Sequence, residues 1–508
     1  MRLLGIPIVI AVLSLTAASS EGHASVPLWH FMTGGWNHTT CDNDAISYAP
    51  YMTPSERWES LKCGELWNDC VNFWKSGYAG KNNSFLRSLE WLMPIEDMSG
   101  CGDLDITYCQ ASLSCYEAEE LGLGVSSLEI MNSFVDIKSM YRYIYDSMQH
   151  VQTGLILDKH EFEGVVGDAG PYNNEWLEHL HGLFINGPSL WASPMIYLSL
   201  SRNPWFWKNE TTAREVGNIT LGLIEQMTST ARDMYDLGQF KKMIGKGDTF
   251  SSYMFQVFPM WQAIIEESLY RLYNGTDKSL ALLTSIISDG KLCSGSYVSD
   301  VSSQMKQKVG GEMMSSLNKN NLIMHTFFIR ILSVYWRLLG EHPFVLDSGY
   351  ECDQVDETQI HLQVYDTSHT GVCYKNKRYY LVSAHGDPVT SLFPPCYGCL
   401  PPAAYDTRFS MPKGAENLVP STHFEGITIE ELVAGAVNTY ERNGNLNLDT
   451  YRPDPLDLGG AMVQFPSLNI TAAGYVDLPV CDATTARKAW NHPDRSIRQL
   501  ANYPCVEV

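Results

Sequence analysis

With 57 Asp and Glu against 35 Lys and Arg in 508 residues, the chain carries a formal charge of −22 at pH 7. No dense Lys/Arg run offsets that field, which repels phosphate backbones and anionic lipid and argues against nucleic acid as a partner. Only 18% of residues are charged while 44% are apolar, so the chain can bury a large core rather than stay disordered, and its length leaves room for two or three domains.

The chain begins Met-Arg and then LLGIPIVIAVLSLTAASS, a basic start, a short apolar run and small residues near Ser20. That order predicts a signal peptide over 1–20, because the apolar run is shorter than a membrane span needs. The protein is therefore expected outside the cell. Six Asn-x-Ser/Thr sequons at Asn37, Asn82, Asn209, Asn218, Asn274 and Asn469 are potential N-glycosylation sites and are expected to face water.

Cysteines fall at 41, 63, 70, 101, 109 and 115, then alone at 293, then at 352, 373, 396, 399, 481 and 505. In an oxidising compartment each group of six can pair internally, which leaves Cys293 as the odd thiol. Cys41, Cys63, Cys70, Cys101, Cys109, Cys115, Cys352, Cys373, Cys396, Cys399, Cys481 and Cys505 are thus expected in disulfides, with fifteen connectivities open in each group. Cys396-x-x-Cys399 could also be a redox pair or half a zinc site. The prolines directly after it, Pro401 and Pro402, oppose the helix start that a redox pair uses.

Thr53-Pro-Ser-Glu56 has an N-cap hydroxyl, proline at the first helical position and glutamate at the third, and helical spacing follows through Trp58, Leu61, Trp67, Cys70 and Trp74. If that helix is continuous, Cys63 and Cys70 lie about 10 Å apart along it and each must reach another segment. The spacing of Met131, Phe134, Ile137, Tyr141, Ile144 and Met148 predicts a helix from about Val125 to His150. Further periodic segments run over about 211–237, 258–273 and 278–288.

Leu322 to Leu339 is apolar enough to suggest a membrane helix, but Thr326, Arg330, Ser333 and Arg337 form one polar stripe, so it reads as a core helix with a solvated edge. The alternative is a toxin-like helix that inserts after a conformational change. After Pro343 the character turns strand-like: IHLQVYD alternates, VCYKNKRYYLVSAHGD resembles a hairpin, and FPSLNITAAGYVDLPVC is strand-like and rich in loops. A helix capped by Thr428 and Glu431 and stopped by Asn443-Gly444 lies between them.

These elements predict an α+β protein, mainly helical in its N-terminal and central part, with a disulfide-braced, strand-containing C-terminal region. The expected divisions after the signal are a cysteine-containing region over 21–120, a helical domain over 121–345 and a mixed region over 346–508.

Few motifs point to chemistry. EWLEHLHG at 175–182 offers Glu175, Glu178, His179 and His181, but on a helix these fall into two pairs on neighbouring faces, with no second Glu-x-x-His to complete a di-iron site. His160-Glu161 could complete it only if a helical hairpin folded back. Asp103-Leu-Asp105 resembles the aspartate pair that binds metal-nucleotide sugars, but it lies among cysteines and two spaced aspartates are frequent by chance. Gly164, Gly167 and Gly170 have the wrong spacing for a dinucleotide fingerprint. His361, His369 and His385 lie in the strand-rich part, with His385 and Asp387 in a turn after a strand, where catalytic residues often sit. Trp205, Phe206 and Trp207 could stack on sugar, sit at a membrane interface, or be buried. No metal or cofactor site is expected from these signals.

The spacing CGDLDITYCQASLSC before a long helix, and the ending AAGYVDLPVC, resemble a group of large secreted proteins of filamentous fungi. The resemblance touches Cys101, Gly102, Cys109, Cys115 and Cys481, and the group carries no established activity. The expectation is a secreted, disulfide-stabilised glycoprotein, an effector-like or toxin-like interaction protein that meets a protein, glycan or membrane surface. The alternative is an extracellular hydrolase whose acidic groups and histidines meet only in three dimensions. Two or more of those groups in one pocket, or His385 beside a buried carboxylate, would favour it.

Overall fold

The computed structural model describes residues 35–43, 52–78, 84–93, 98–105, 124–157, 164–167, 210–234, 250–292, 316–354, 369–385, 409–420, 424–447, 471–500 and 502–508, with isolated positions between them. The signal segment, Asn82, Asn209, Asn469, Cys293, Cys396, Cys399, IHLQVYD with His361, the three aromatics at 205–207, Asp387 and most of EWLEHLHG lie outside the described residues.

The architecture is α+β. Helices α1 (Pro54–Ser60), α2 (Cys63–Lys75) and α3 (Phe85–Leu92) lead to the long α4 (Ser126–Leu157). Then come α5 (Glu210–Met234), α6 (Phe250–Leu272), α7 (Asp277–Ile287) and α8 (Ser316–Leu338). The C-terminal part contributes β1 (Pro343–Glu351), β2 (Gly371–Tyr374), β3 (Lys377–Ser383), α9 (Ile429–Arg442), β4 (Val480–Asp482) and α10 (Ala483–Trp490).

Both predicted capping boxes form. The Thr53 and Thr428 hydroxyls accept from the backbone N–H groups of Glu56 and Glu431, and each glutamate returns a bond to its cap residue. Such boxes satisfy donors that the first helical turn leaves open. The first helix nonetheless ends sooner than its periodicity suggests: Lys62 takes a left-handed conformation, φ 56°, between α1 and α2. The carbonyl of Leu61 at that break accepts from the Ser126 hydroxyl at the start of α4. The turn aims Cys63, Leu66, Trp67, Cys70 and Phe73 of α2 into the core.

That orientation corrects the disulfide expectation for two cysteines. Cys63 and Cys70 are buried free thiols. Cys63 donates to the backbone carbonyl of Ser126 at 3.8 Å, and both positions fill core space on the inner face of α2 rather than reaching another cysteine. Burial pushes both thiols up, reinforced by Glu129 near Cys63 and by Asp69 beside Cys70. A thiol with so little thiolate is a poor nucleophile. Peptide mapping after iodoacetamide treatment should find both unmodified in the native protein and alkylated once it is unfolded.

The cysteines that do pair stay within their own groups. Cys41 bonds Cys115, Cys101 bonds Cys109, Cys352 bonds Cys373 and Cys481 bonds Cys505.

Helices α4 and α6 lie side by side at the centre, with α5 against α6 and α8 against α4. The six predicted inward positions of α4, Met131 to Met148, are all buried. Aromatic rings fill the space between α6, α8 and their neighbours: Phe258 meets Trp261 at 5.2 Å and Phe327 at 5.8 Å, and Phe328 meets Phe424 at 5.6 Å. On α8 the solvated edge is narrower than predicted, since Ser333 is buried and Arg337 lies 3.9 Å from Asp477. No helix among the described residues is long and apolar enough to cross a membrane.

The strands order as β2-β3-β1-β4, with β4 parallel to β1 and the other pairs antiparallel. Lys375 and Asn376, both at positive φ, make the tight turn of the β2–β3 hairpin, the conformation that matches strand twist. Because side chains alternate along a strand, the sheet serves two cores. Val345, Tyr379, Leu381 and Val480 join the helical core with Leu432, Val433 and Ala436 of α9. Phe344, Leu346, Tyr380 and Val382 face the other way, against Phe409, Trp490 and Tyr503.

Candidate functional site

The pairing of α4 with α6 sets a group of polar side chains beside the turn that carries Asp103 and Asp105. That turn follows a short 3-10 helix, Met98–Gly102, and is closed by the Cys101–Cys109 bridge. The Asp103 carboxylate accepts from the backbone N–H of Asp105 at 2.8 Å, the local bond by which aspartate favours turns.

Lys138, Arg142 and Tyr145 follow one another at helical spacing along α4 and share one side of it. Lys138 Nζ donates to the carbonyl of Gly100 at 2.7 Å. Arg142 donates to the carbonyl of Leu104 and pairs with Asp146 at 2.9 Å, while its guanidinium lies 5.9 Å from the centre of the Tyr145 ring. The two cations thus tie the aspartate turn to the helix through its backbone.

From α6, half-buried Glu266 comes close to Tyr145 of α4. Burial raises the Glu266 carboxyl above its ordinary range, Asp105 and more weakly Asp103 push the same way, and the nearby Tyr145 opposes them. Burial likewise lifts the Tyr145 phenol, with Glu266 and Asp105 adding to it. The ledge therefore holds a carboxyl that keeps its proton to higher pH than usual, a phenol beside it and two exposed aspartates. These groups can donate to and accept from a polyhydroxylated ligand, and Glu266 can release a proton.

Asp103 and Asp105 stand out in the sequence, but as a resemblance to a metal-nucleotide-sugar pair and not as part of a ledge. Glu266 and Tyr145 carry no motif, and what marked them was only polarity at half-exposed positions of apolar helices. Among the described residues no three His, Cys, Asp or Glu side chains converge as a metal ion requires. Of EWLEHLHG only His181 is described, in helical conformation and partly buried; its proposed partners fall outside.

His385 does lie beside a buried carboxylate. Glu341, 2% exposed, follows the end of α8, and its oxygens sit 2.6 Å from the Ser383 hydroxyl and 3.4 Å from His385 Nδ1. The same nitrogen lies 3.3 Å from the carbonyl of Gly340. Two acceptors at Nδ1 put the proton there and leave Nε2 free to accept. Ser383 is buried and gives its proton to Glu341 rather than to the imidazole, so the three do not form the serine–histidine–carboxylate order of a nucleophilic triad. His369 is exposed. Asn218 and Asn274 are exposed, on α5 and after α6.

No family model matches the chain, and no solved structure does. Two curated proteins of Penicillium expansum are similar to it. "Probable chitinase LysM18" is 28% identical over 495 residues, which covers 93% of this chain and 33% of that protein. "Secreted chitinase LysM12" is 26% identical over 501 residues, covering 93% of this chain and 32% of that protein. The chain thus spans about a third of the length of the curated relatives it matches. It is similar to secreted proteins of filamentous fungi, and with a relative named as secreted and disulfides throughout its structure it is an extracellular protein.

Proposed function

We propose that this chain is an extracellular interaction protein that engages an amino-sugar glycan. The observation that carries the reading is the extent of the matches: nearly the whole chain corresponds to one third of two proteins named chitinases. A segment shared with proteins of that name is a candidate to dock on the polymer that the name implies. The ledge supports this with hydroxyl, carboxyl and aromatic groups on one surface, the mixture that a sugar's hydroxyls and apolar faces require.

Co-sedimentation of the purified protein with insoluble chitin, chitosan and cell-wall fractions tests it. The protein is expected in the pellet with at least one amino-sugar polymer and in the supernatant with an unrelated resin. Recovery in the supernatant throughout would remove the glycan reading.

Two observations favour hydrolysis as a second reading: His385 lies 3.4 Å from the buried Glu341 carboxylate, and the Glu266 carboxyl, raised by burial, has Asp105 among its charged neighbours, an acid and an anion as glycosidases combine them. In that case reducing ends accumulate from soluble chitin oligosaccharides, and Glu266→Gln lowers their release by about 10²-fold or more. The rate would fall as pH rises through the elevated Glu266 value, since the acid must be protonated to act. Release unchanged in Glu266→Gln excludes this role.

A further inference from the structure

The outer side of α6 is built differently from its inner side. Tyr253, Val257, Phe258, Trp261, Ile265 and Leu269 are buried, and the spacing that sinks them leaves Phe255, Pro259, Ala263 and Tyr270 exposed in a line. Phe255 and Tyr270 are 52% and 63% exposed, unusual for large rings on a helix so well packed on its other side. Fifteen residues separate them, about 22 Å along the axis. Proline and alanine between them project little, so the rings bound a flat shelf.

The shelf runs past Glu266 and the aspartate turn, where acidic groups outnumber the cations. Arg271 pairs with Glu267 at 2.6 Å, Arg142 pairs with Asp146 at 2.9 Å, and Lys138 has Asp103 near it, while Asp105 and Glu266 add further carboxyls. Asp103 and Asp105 remain exposed on a chain of net charge −22. A ligand that complements the shelf is extended, has flat apolar faces for the rings and carries positive charge.

Resting on the glycan reading above, we infer that the outer face of α6 binds a partly deacetylated chitin chain along the helix axis. Its sugar faces lie against Phe255 and Tyr270, and its ammonium groups lie toward Asp105 and Glu266. Neutral chitin meets the same rings without the ionic part. Cellulose lacks the amino group altogether.

Depletion of the full-length protein by suspended chitosan, chitin and cellulose, at low and high salt, tests the inference. Chitosan should bind most strongly and lose affinity in high salt, because exposed ion pairs are screened. Phe255→Ala/Tyr270→Ala should weaken chitosan binding about tenfold, the loss expected from two aromatic contacts, with an unchanged circular dichroism spectrum and melting temperature. Asp105→Asn should reduce the salt sensitivity. If the ring variant binds chitosan like the wild type, the shelf is not the seat and only this inference falls; if chitosan binds no better than cellulose, the amino-sugar reading falls with it. If the wild type binds no polysaccharide, the glycan reading falls and takes the inference with it.

Discussion

Arg57→Met is expected to destabilise the protein by about 3–5 kcal/mol, because it strips a buried carboxylate of its countercharge. Arg57 Nε lies 3.4 Å from Glu129 Oε1, with the side chains 4% and 0% exposed. The guanidinium also donates to the carbonyl of Met52 at 3.1 Å, so it ties the segment before α1 to the first turn of α4. The positive end of the α4 dipole offsets part of the Glu129 charge but is worth only about 2 kcal/mol at best in buried geometry. Replacing both partners with apolar residues of similar volume should recover most of the loss, since a buried pair often returns little more than its desolvation cost. Chemical denaturation of Arg57→Met, Glu129→Leu and the double variant decides it. A single variant within about 1 kcal/mol of the wild type would reduce the pair to the worth of a surface bridge.

Features of the fold were legible where their physics is local. The caps at Thr53 and Thr428 and the β2–β3 hairpin depend on residues within a few positions of one another, and all form. The break at Lys62 is marked in the sequence only by Gly64 two residues on, and the contact that accompanies it, a hydroxyl on α4 donating to the carbonyl of Leu61, is not local. The two free thiols show one sequence signal overriding another. Cysteine arithmetic assigns Cys63 and Cys70 to bridges, yet their spacing with Leu66, Trp67 and Phe73 places them on an inward helical face, and it is that face the fold buries. Ser333 behaves alike: a polar residue in a polar stripe, it is nevertheless sunk by the packing of α8.

The candidate site divides along the same line. Asp103 and Asp105 stand out as a motif because they serve one turn. Glu266 and Tyr145 meet only because α4 and α6 pack together, and nothing in either segment announces the other. His385 was singled out for its place after a strand, but its carboxylate, Glu341, follows a different element and is recognisable only once β3 ends against the terminus of α8.

Removing the Cys41–Cys115 bridge by serine substitution at both positions should cost about 4.5 kcal/mol, since it closes a separation of 74 residues and the entropy withheld from the unfolded chain grows with the loop. The Cys101–Cys109 bridge closes only 8, and the same relation gives about 2.5 kcal/mol. Calorimetry of the two double-serine variants should therefore show the larger fall in melting temperature for the first, and equal falls would show that native-state contacts rather than loop entropy set the cost. Binding should rank them in reverse. The short bridge encloses Asp103 and Asp105, so opening it frees the turn that faces α6 while sparing most of the stability, whereas among the described residues neither cysteine of the long bridge belongs to the ledge. A variant that stays folded yet loses chitosan binding when the short bridge opens would tie that disulfide to the position of the aspartates; binding unchanged in it would detach the turn from the ligand.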